Sequence, residues 1–242
     1  MPISVVVPTR GRAEALARCV AALEAQTVAV EVVVVEDAEG RGPAWARNEG
    51  VRRARGEVVC FTDDDCEPVA GWVEALTGPI VAGEAEASTG PVTVGEGATA
   101  ADRAWEVIVN YLQVRAVAPG TASPGFAVTA NLAAKYSLLE WIPFDESFPA
   151  AAGEDRDWGE RAARAGAAPL ATAPPPPTAA QARLRSTRAS WGRGSALADV
   201  RASSSPPARP PPRRGSSSRP QAGSINGFVC GLGVRAQGGA RR

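Results

Sequence analysis

The 242-residue chain contains no histidine. Its four cysteines, at positions 19, 60, 66 and 230, form no CxxC pair. Together these absences argue against a structural zinc site, and free thiols in a reducing cytosol are the simplest expectation. No run reaches the ~18 apolar residues needed to cross a bilayer. The opening Met1-Pro2-Ile3-Ser4-Val5 lacks both a charged segment and a long apolar stretch, so no signal peptide is expected. Formal charge is also missing: 26 basic residues balance 26 acidic ones. Bulk charge therefore gives no reason to expect a nucleic-acid partner. No internal repeat is present, and a cytoplasmic protein is the expectation.

What is present is unevenly spread. Acidic residues crowd the first two-thirds, while the stretch after Asp157 holds many arginines and only two further acids, Glu160 and Asp199. A basic end of this kind could make peripheral contact with an anionic membrane surface. A solvated, disordered tail explains it more simply. Residues 225–234 are apolar but short and glycine-rich, which suits a frayed terminus.

Along the chain, strand-like and helix-like segments alternate. Residues 4–7 form a short apolar run, followed by the polar turn Thr9-Arg10-Gly11-Arg12. Residues 14–26 place Leu16, Val20 and Leu23 at helical spacing. Residues 31–35 contain four consecutive valines, which predicts a strand covered on both faces. A helix over 44–54 and a strand over 58–62 follow. This alternation predicts an α/β fold with a mostly parallel sheet flanked by helices. Ligands of such sheets bind beyond the carboxyl ends of the strands. Residues 9–12, 36–39 and 63–67 should therefore converge there.

The middle predicts a helix over 72–81, a strand over 87–94, a helix over 99–115, a strand over 126–130, and helices over 135–141 and 154–165. Four prolines at 174–177 are expected to end regular structure. One domain over 1–173 is expected, then a proline-rich linker with a short helix within 174–200. Residues 202–222, rich in proline, serine and arginine, have too few apolar side chains to offset ordering entropy, and 201–242 form an expected disordered tail. Trp105, Tyr111, Trp141 and Trp158 could stack on a sugar or lipid head, but aromatics at such positions usually belong to a core.

The sharpest chemical feature is Asp63-Asp64-Asp65. Three successive carboxylates repel one another, so they need a cation or a solvated turn. Strand-end alternation lets Asp63 and Asp65 point the same way, an arrangement suited to a hard divalent ion such as Mg²⁺ or Mn²⁺. An acidic surface turn is the plain alternative.

The ordered set of motifs resembles the family 2 glycosyltransferases, which have the GT-A fold. Val5-Val6-Val7-Pro8-Thr9-Arg10-Gly11-Arg12 is similar to their first strand and nucleotide loop, and Val33-Val34-Val35-Glu36-Asp37 to the second strand with its two acids. Gly42-Pro43-Ala44-Trp45-Ala46-Arg47-Asn48-Glu49-Gly50 resembles the small-residue helix with an Arg-Asn pair. Gly56-Glu57-Val58-Val59-Cys60-Phe61-Thr62-Asp63-Asp64-Asp65 resembles the strand leading into the DXD motif. Thr129-Ala130-Asn131-Leu132 and Phe144-Asp145-Glu146-Ser147-Phe148 resemble acceptor-side motifs. Gly153-Glu154-Asp155-Arg156-Asp157-Trp158 resembles the segment carrying the catalytic base. The likeness covers about residues 3–170.

The resemblance implies metal-assisted transfer of a sugar from a nucleotide-sugar donor to an acceptor hydroxyl, with inversion. Asp37 would meet the nucleoside, with Pro8, Thr9 and Arg12 lining that pocket and Asp64 beside it. Arg47 would lie near the nucleotide or sugar, or else form a structural ion pair. Asp63 and Asp65 would bracket ribose and metal, with Asp65 the better direct ligand. Asp155 would be the general base and Glu154 the substitute. Carboxylates also favour helix N-termini, which explains Glu154 and Asp155 locally almost as well.

The chain departs from the pattern in lacking the histidine that completes the metal site in many GT-A enzymes. A non-catalytic nucleotide-sugar-binding protein is therefore an alternative. A dinucleotide-binding oxidoreductase is a weaker one. Gly95-Glu96-Gly97-Ala98-Thr99-Ala100 fits G-x-G-x-x-A, but no acid stands ~20 residues on, where the fingerprint wants one. A nucleotidyltransferase would show a more glycine-rich, basic phosphate loop than residues 9–12.

Overall fold

A computed structural model describes residues 1–95, 97–117, 127–148, 153–167, 171–172 and 182–184. All lie in one compact unit, Met1–Pro210. The expected tail, the residues 225–234 segment and the short helix expected within 174–200 lie outside the described residues.

The valine runs form the centre of the sheet. Strand β1 (Ile3–Thr9) pairs in parallel with β2 (Glu31–Glu36) on one side and β3 (Val58–Phe61) on the other. The sheet continues with β7 (Leu132–Lys135), which runs antiparallel to both neighbours, then β5 (Ala87–Thr89) and β8 (Ala171–Thr172). Alternation along the central strands divides the core into two layers. Val5, Val7, Val58 and Cys60 pack with Cys19 and Leu23 of helix α1 (Ala13–Glu24) and with Trp72, Leu76 and Ile80 of α3 (Trp72–Val81). Val6, Val59 and Phe61 face the opposite side, against Ala44, Ala46 and Val51 of α2 (Pro43–Arg53) and Trp158 of α6 (Glu154–Arg164). The helix α5 (Tyr136–Trp141) joins that second layer through Leu138 and Leu139.

Close approach of α2 to β1 depends on a glycine. A Cβ on Gly50 would stand 2.2 Å from Val6 Cγ1, so only a residue without one lets the helix backbone lie flush on the strand. Approach at this point also brings the side chains at the start of α2 over the carboxyl end of the sheet.

A smaller sheet holds β4 (Cys66–Pro68), β9 (Ala182–Leu184) and β6 (Val92–Val94), in that order. Its apolar face, with Cys66 and Val92, packs with Val109 of α4 (Ala100–Val117). The glycine-rich turn after β6 thus joins an edge strand of the small sheet to a helix, not a strand of the main parallel sheet. Regular structure also reappears beyond the four-proline run, at β9.

Several expectations need correction. β2 is not covered on both faces: it is the edge strand, with Val33 and Val35 buried and Val34 exposed. The strand expected over 87–94 is two strands in different sheets, separated at Gly90-Pro91, where proline cannot donate to a ladder. A strand over 126–130 is absent from its described part: residues 129–131 form a 3₁₀ turn, and the strand begins at Leu132. Of the four noted aromatics, Trp158 is core and Trp141 packs against it, whereas Trp105 and Tyr111 are exposed on α4.

Candidate active site

The three polar segments meet at the carboxyl ends of β1, β2 and β3. Asp37 donates its backbone N–H to Thr9 O at 2.9 Å, and Gly11 N–H reaches Glu36 Oε1 at 3.1 Å. Thr9 Oγ1 donates to Asp64 Oδ2 at 2.6 Å. Arg12, just before α1, grips Asp64 through two nitrogens and Asp65 Oδ2 through a third at 2.7 Å. Asp64 is fully buried, so its carboxylate holds the loop while Asp63 and Asp65 flank it.

β3 ends at Phe61, and Cys66 N–H closes a turn onto Asp63 O at 3.0 Å. Strand alternation therefore stops before the triplet, and Asp63 and Asp65 have different arginine partners. Asp65 turns to Arg12, and Asp63 Oδ1 accepts a hydrogen bond from Arg47 NH2 at 3.4 Å.

Arg47 projects from α2 and is almost wholly buried. Its NH1 donates to Glu154 Oε1 at 2.7 Å, joining the triplet to the start of α6. Asp155, the next residue, is half-buried and accepts the N–H of Arg156 at 2.7 Å. The structure thus gathers Thr9, Arg12, Asp64 and Asp65 in one group. Arg47, Asp63, Glu154 and Asp155 form a second, linked to the first through the triplet. Pro8 lies buried in β1. Asp37 stands apart: both its carboxylate oxygens are taken by the N–H groups of Arg41 and Gly42, at 2.8 and 2.9 Å, so it shapes the loop into α2.

Burial dominates the electrostatics. It pushes Asp155 up to about 7, helped by the charge of Glu154 and opposed by Arg47. It pushes Asp65 up to about 6, with Asp63 adding to the rise and Arg12 opposing it. For Arg47 burial works against the charged form, but Glu154, Asp63 and Asp155 outweigh it and the guanidinium is held above its ordinary value. A carboxyl brought near neutral pH is matched to proton transfer.

Sequence reasoning missed the part played by Asn48. Its amide donates to Phe144 O at 2.9 Å and Glu146 Oε1 at 2.8 Å, and its own oxygen accepts Phe144 N–H at 2.9 Å. Neighbouring residues of α2 therefore pin two distant segments, Asn48 the loop at 144–146 and Arg47 the start of α6. The Arg-Asn pair was the available signal. Asn131, by contrast, is buried and accepts from Trp72 Nε1 at 2.8 Å, a structural contact.

Asp63 and Asp65 each use one carboxylate oxygen on an arginine, and the second oxygen of each has no hydrogen bond among the described residues. No group of three or more acidic, histidine or cysteine side chains among the described residues is arranged to hold an ion. Mg²⁺ and Mn²⁺ can bind through as few as one or two protein carboxylates, taking their remaining ligands from phosphates and water.

A parallel-centred sheet with helices on both faces, one antiparallel strand and an acidic turn after the third strand defines a GT-A architecture. Staphylococcus aureus TarS 1–349 in complex with UDP has the same fold, with a TM-score of 0.57 at 18% identity over 77% of this chain and 61% of that one. The complex of the same protein with UDP-GlcNAc gives a TM-score of 0.56 at 18% identity, over 77% of this chain and 59% of that one. In sequence, residues 33–122 match the family described as Glycosyl transferase family 2. The chain is 30% identical over 95 residues to the pre-mycofactocin glycosyltransferase of Mycobacterium tuberculosis, covering 31% of this chain and 20% of the relative. It is 26% identical over 195 residues to glycosyltransferase AglE of Haloferax volcanii, covering 68% of this chain and 62% of the relative. The chain thus spans less than two thirds of each of these proteins, and the family match includes the triplet but ends before Asp155.

Proposed function

We propose that the chain is a family 2 glycosyltransferase that moves a sugar from a nucleotide-sugar donor to an acceptor hydroxyl with inversion. One observation carries this reading. Arg47 bridges Asp63 and Glu154, so the acidic turn and the half-buried carboxyl of Asp155 belong to one site. Likeness to glycosyltransferases in sequence, and to UDP- and UDP-GlcNAc-bound TarS in fold, supports a nucleotide-sugar donor.

Asp155 has the basicity to take the acceptor's hydroxyl proton at neutral pH. The freed oxygen attacks the anomeric carbon while the bond to the nucleoside diphosphate breaks with its electron pair. A single base and no second nucleophile lead to direct displacement, hence inversion, through an oxocarbenium-like transition state. Thr9 and Arg12 hold the triplet in place under the diphosphate. Asp65 and Asp63 would hold Mg²⁺ or Mn²⁺, which when bound neutralises charge developing on the diphosphate. A cytoplasmic location and peripheral membrane contact through the basic C-terminal part belong to the same proposal, whereas the domain expected to end at 173 continues at least through β9. No described helix is long and apolar enough to cross a membrane.

The test is thermal unfolding of the full chain against a panel of nucleotide-sugars with Mg²⁺ or Mn²⁺. One nucleotide-sugar should raise the melting temperature, and Asp65→Asn should abolish the rise. If the whole panel leaves the protein unmoved, the donor assignment fails. Binding without turnover under any acceptor or hydrolysis assay would favour the non-catalytic alternative.

A further inference from the structure

Helix α4 shows its apolar face to solvent and keeps its polar one inside. Val107 is 68% exposed, Tyr111 61% and Ile108 57%, with Trp105 and Leu112 each at 40%. Positions 105, 108 and 112 follow the i, i+3, i+7 spacing of one helical face, and exposed Ala104 and Tyr111 border it. The polar side chains point the other way. Glu106 Oε2 accepts the N–H of Val94 at 3.1 Å, Asn110 bonds to both the N–H and the O of Val92, and buried Gln113 accepts from Thr89. A surface helix ordinarily has the opposite arrangement, and apolar side chains gathered in this way form a patch rather than the usual scatter.

Composition and charge say what covers this face. Trp105 and Tyr111, each an apolar ring with a polar tip, stand with the aliphatic Ile108 and Leu112, and the one charged residue within 104–113, Glu106, is turned inward. Rings of this kind suit the boundary between lipid headgroups and acyl chains. The charge comes from the neighbouring strand. β9 runs parallel to β6 with Leu184 beside Val94, so the chain leaves the small sheet at the end where β6 turns into α4. Beyond Leu184 the sequence holds eleven arginines and one acid, Asp199. An apolar aromatic face with a basic segment issuing beside it is complementary to an anionic bilayer. A second copy docked here would bring two such basic segments together, and they would repel.

We propose that α4 is a membrane-docking helix, with Trp105, Ile108, Tyr111 and Leu112 entering the headgroup boundary of an anionic bilayer while the arginines beyond Leu184 meet its phosphates. This rests on the membrane contact proposed above for the basic C-terminal part and adds to it an apolar contact that salt does not screen. Two such contacts together hold a protein where either alone binds weakly. Cys66, the residue after the acidic triplet, shares an apolar cluster with Val109 on the inner face of α4. Docking through the outer face therefore sets how far the candidate site stands from the bilayer.

The experiment is co-sedimentation of the full chain with vesicles of equimolar phosphatidylcholine and phosphatidylglycerol, at low and high salt. Wild type is compared with the double variant Ile108→Gln, Leu112→Gln, which keeps good helix formers at both exposed positions. Wild type should bind the vesicles, and the variant should bind about tenfold more weakly, because two side chains no longer transfer into lipid. The variant's residual binding should vanish at high salt, whereas wild type should retain part of its own. Without vesicles the two proteins should melt at the same temperature. Equal binding by both would leave the arginines as the whole contact and overturn the role of α4 alone. No binding by wild type would overturn that role together with the membrane contact on which it rests. A lower melting temperature in the variant would mean that the chain covers its own α4 face, and a wild-type dimer that the variant loses in light scattering would mean that a second copy does. Either result overturns the proposal.

Discussion

Asp155→Asn should make the protein more stable at alkaline pH while removing its activity. The carboxyl's ordinary value is 3.8, and burial with the neighbouring Glu154 raises it to about 7 in the fold. At pH below 3.8 the proton is held in both the folded and the unfolded chain. Between the two values only the folded chain holds it, so stability falls as pH rises through that window and levels off once Asp155 ionises in both states. Each pH unit of the window is worth about 1.4 kcal/mol, so between pH 5 and 8 the wild type should lose about 2–3 kcal/mol from this group alone. Asparagine carries no charge at any pH, and its side-chain oxygen can still accept the N–H of Arg156. The variant's advantage should therefore already be about 1.5–2 kcal/mol at pH 5 and grow by a further 2–3 kcal/mol or so at pH 8, a growth of roughly 5–10 °C in melting temperature for a domain of this size. Urea unfolding followed by tryptophan fluorescence at the two pH values measures it directly, with chelator present to keep metal out. A variant advantage that does not change with pH, or a variant less stable at pH 8, would refute the reasoning.

Other perturbations test the scaffold and the donor side. Gly50→Ala would gain about 1 kcal/mol of helix propensity, but its Cβ meets Val6 Cγ1 at 2.2 Å, where a central-strand valine cannot give way. A net loss of about 1–3 kcal/mol in chemical denaturation is expected. Thr9→Val removes the 2.6 Å hydrogen bond to fully buried Asp64 and should cost about 1–3 kcal/mol, measured the same way. Activity should rise with added Mg²⁺ or Mn²⁺ and fall with chelator, and Asp65→Asn should flatten that response; a flat wild-type titration would remove the metal from the proposal.

The parallel core was readable because consecutive valines have few other uses, and because each run is followed by a polar turn and a helical stripe. Short strands were another matter. Cys66–Pro68 has three residues and ends on proline, too little for any period to register, and it forms only because β9 pairs alongside. Leu132–Lys135 is half alanine, a weak strand signal, yet it joins the sheet because Phe61 pairs with Leu132 across a large separation in sequence. The same limit applies to the site. The acidic turn was visible as three adjacent carboxylates, but the Arg47–Glu154 pair joins residues 107 apart and no local pattern announces it. The sequence allows Arg47 either a ligand contact or a structural ion pair. It makes the ion pair with Glu154. The nucleoside contact of Asp37 is what the family resemblance implies. Only the fold reveals that backbone N–H groups of the following loop already occupy both its oxygens.

The most direct measurement is nucleoside diphosphate release from the nucleotide-sugar that best stabilises the protein, compared between wild type and Asp155→Asn with binding of the donor followed in parallel. Turnover by the wild type, a loss of about 10²-fold or more in the variant, and an unchanged donor affinity are what a base acting only on the acceptor requires. Turnover that survives in Asp155→Asn would contradict the assignment of the base, and a wild type that binds the donor without ever releasing the diphosphate would contradict the account of this chain as an enzyme.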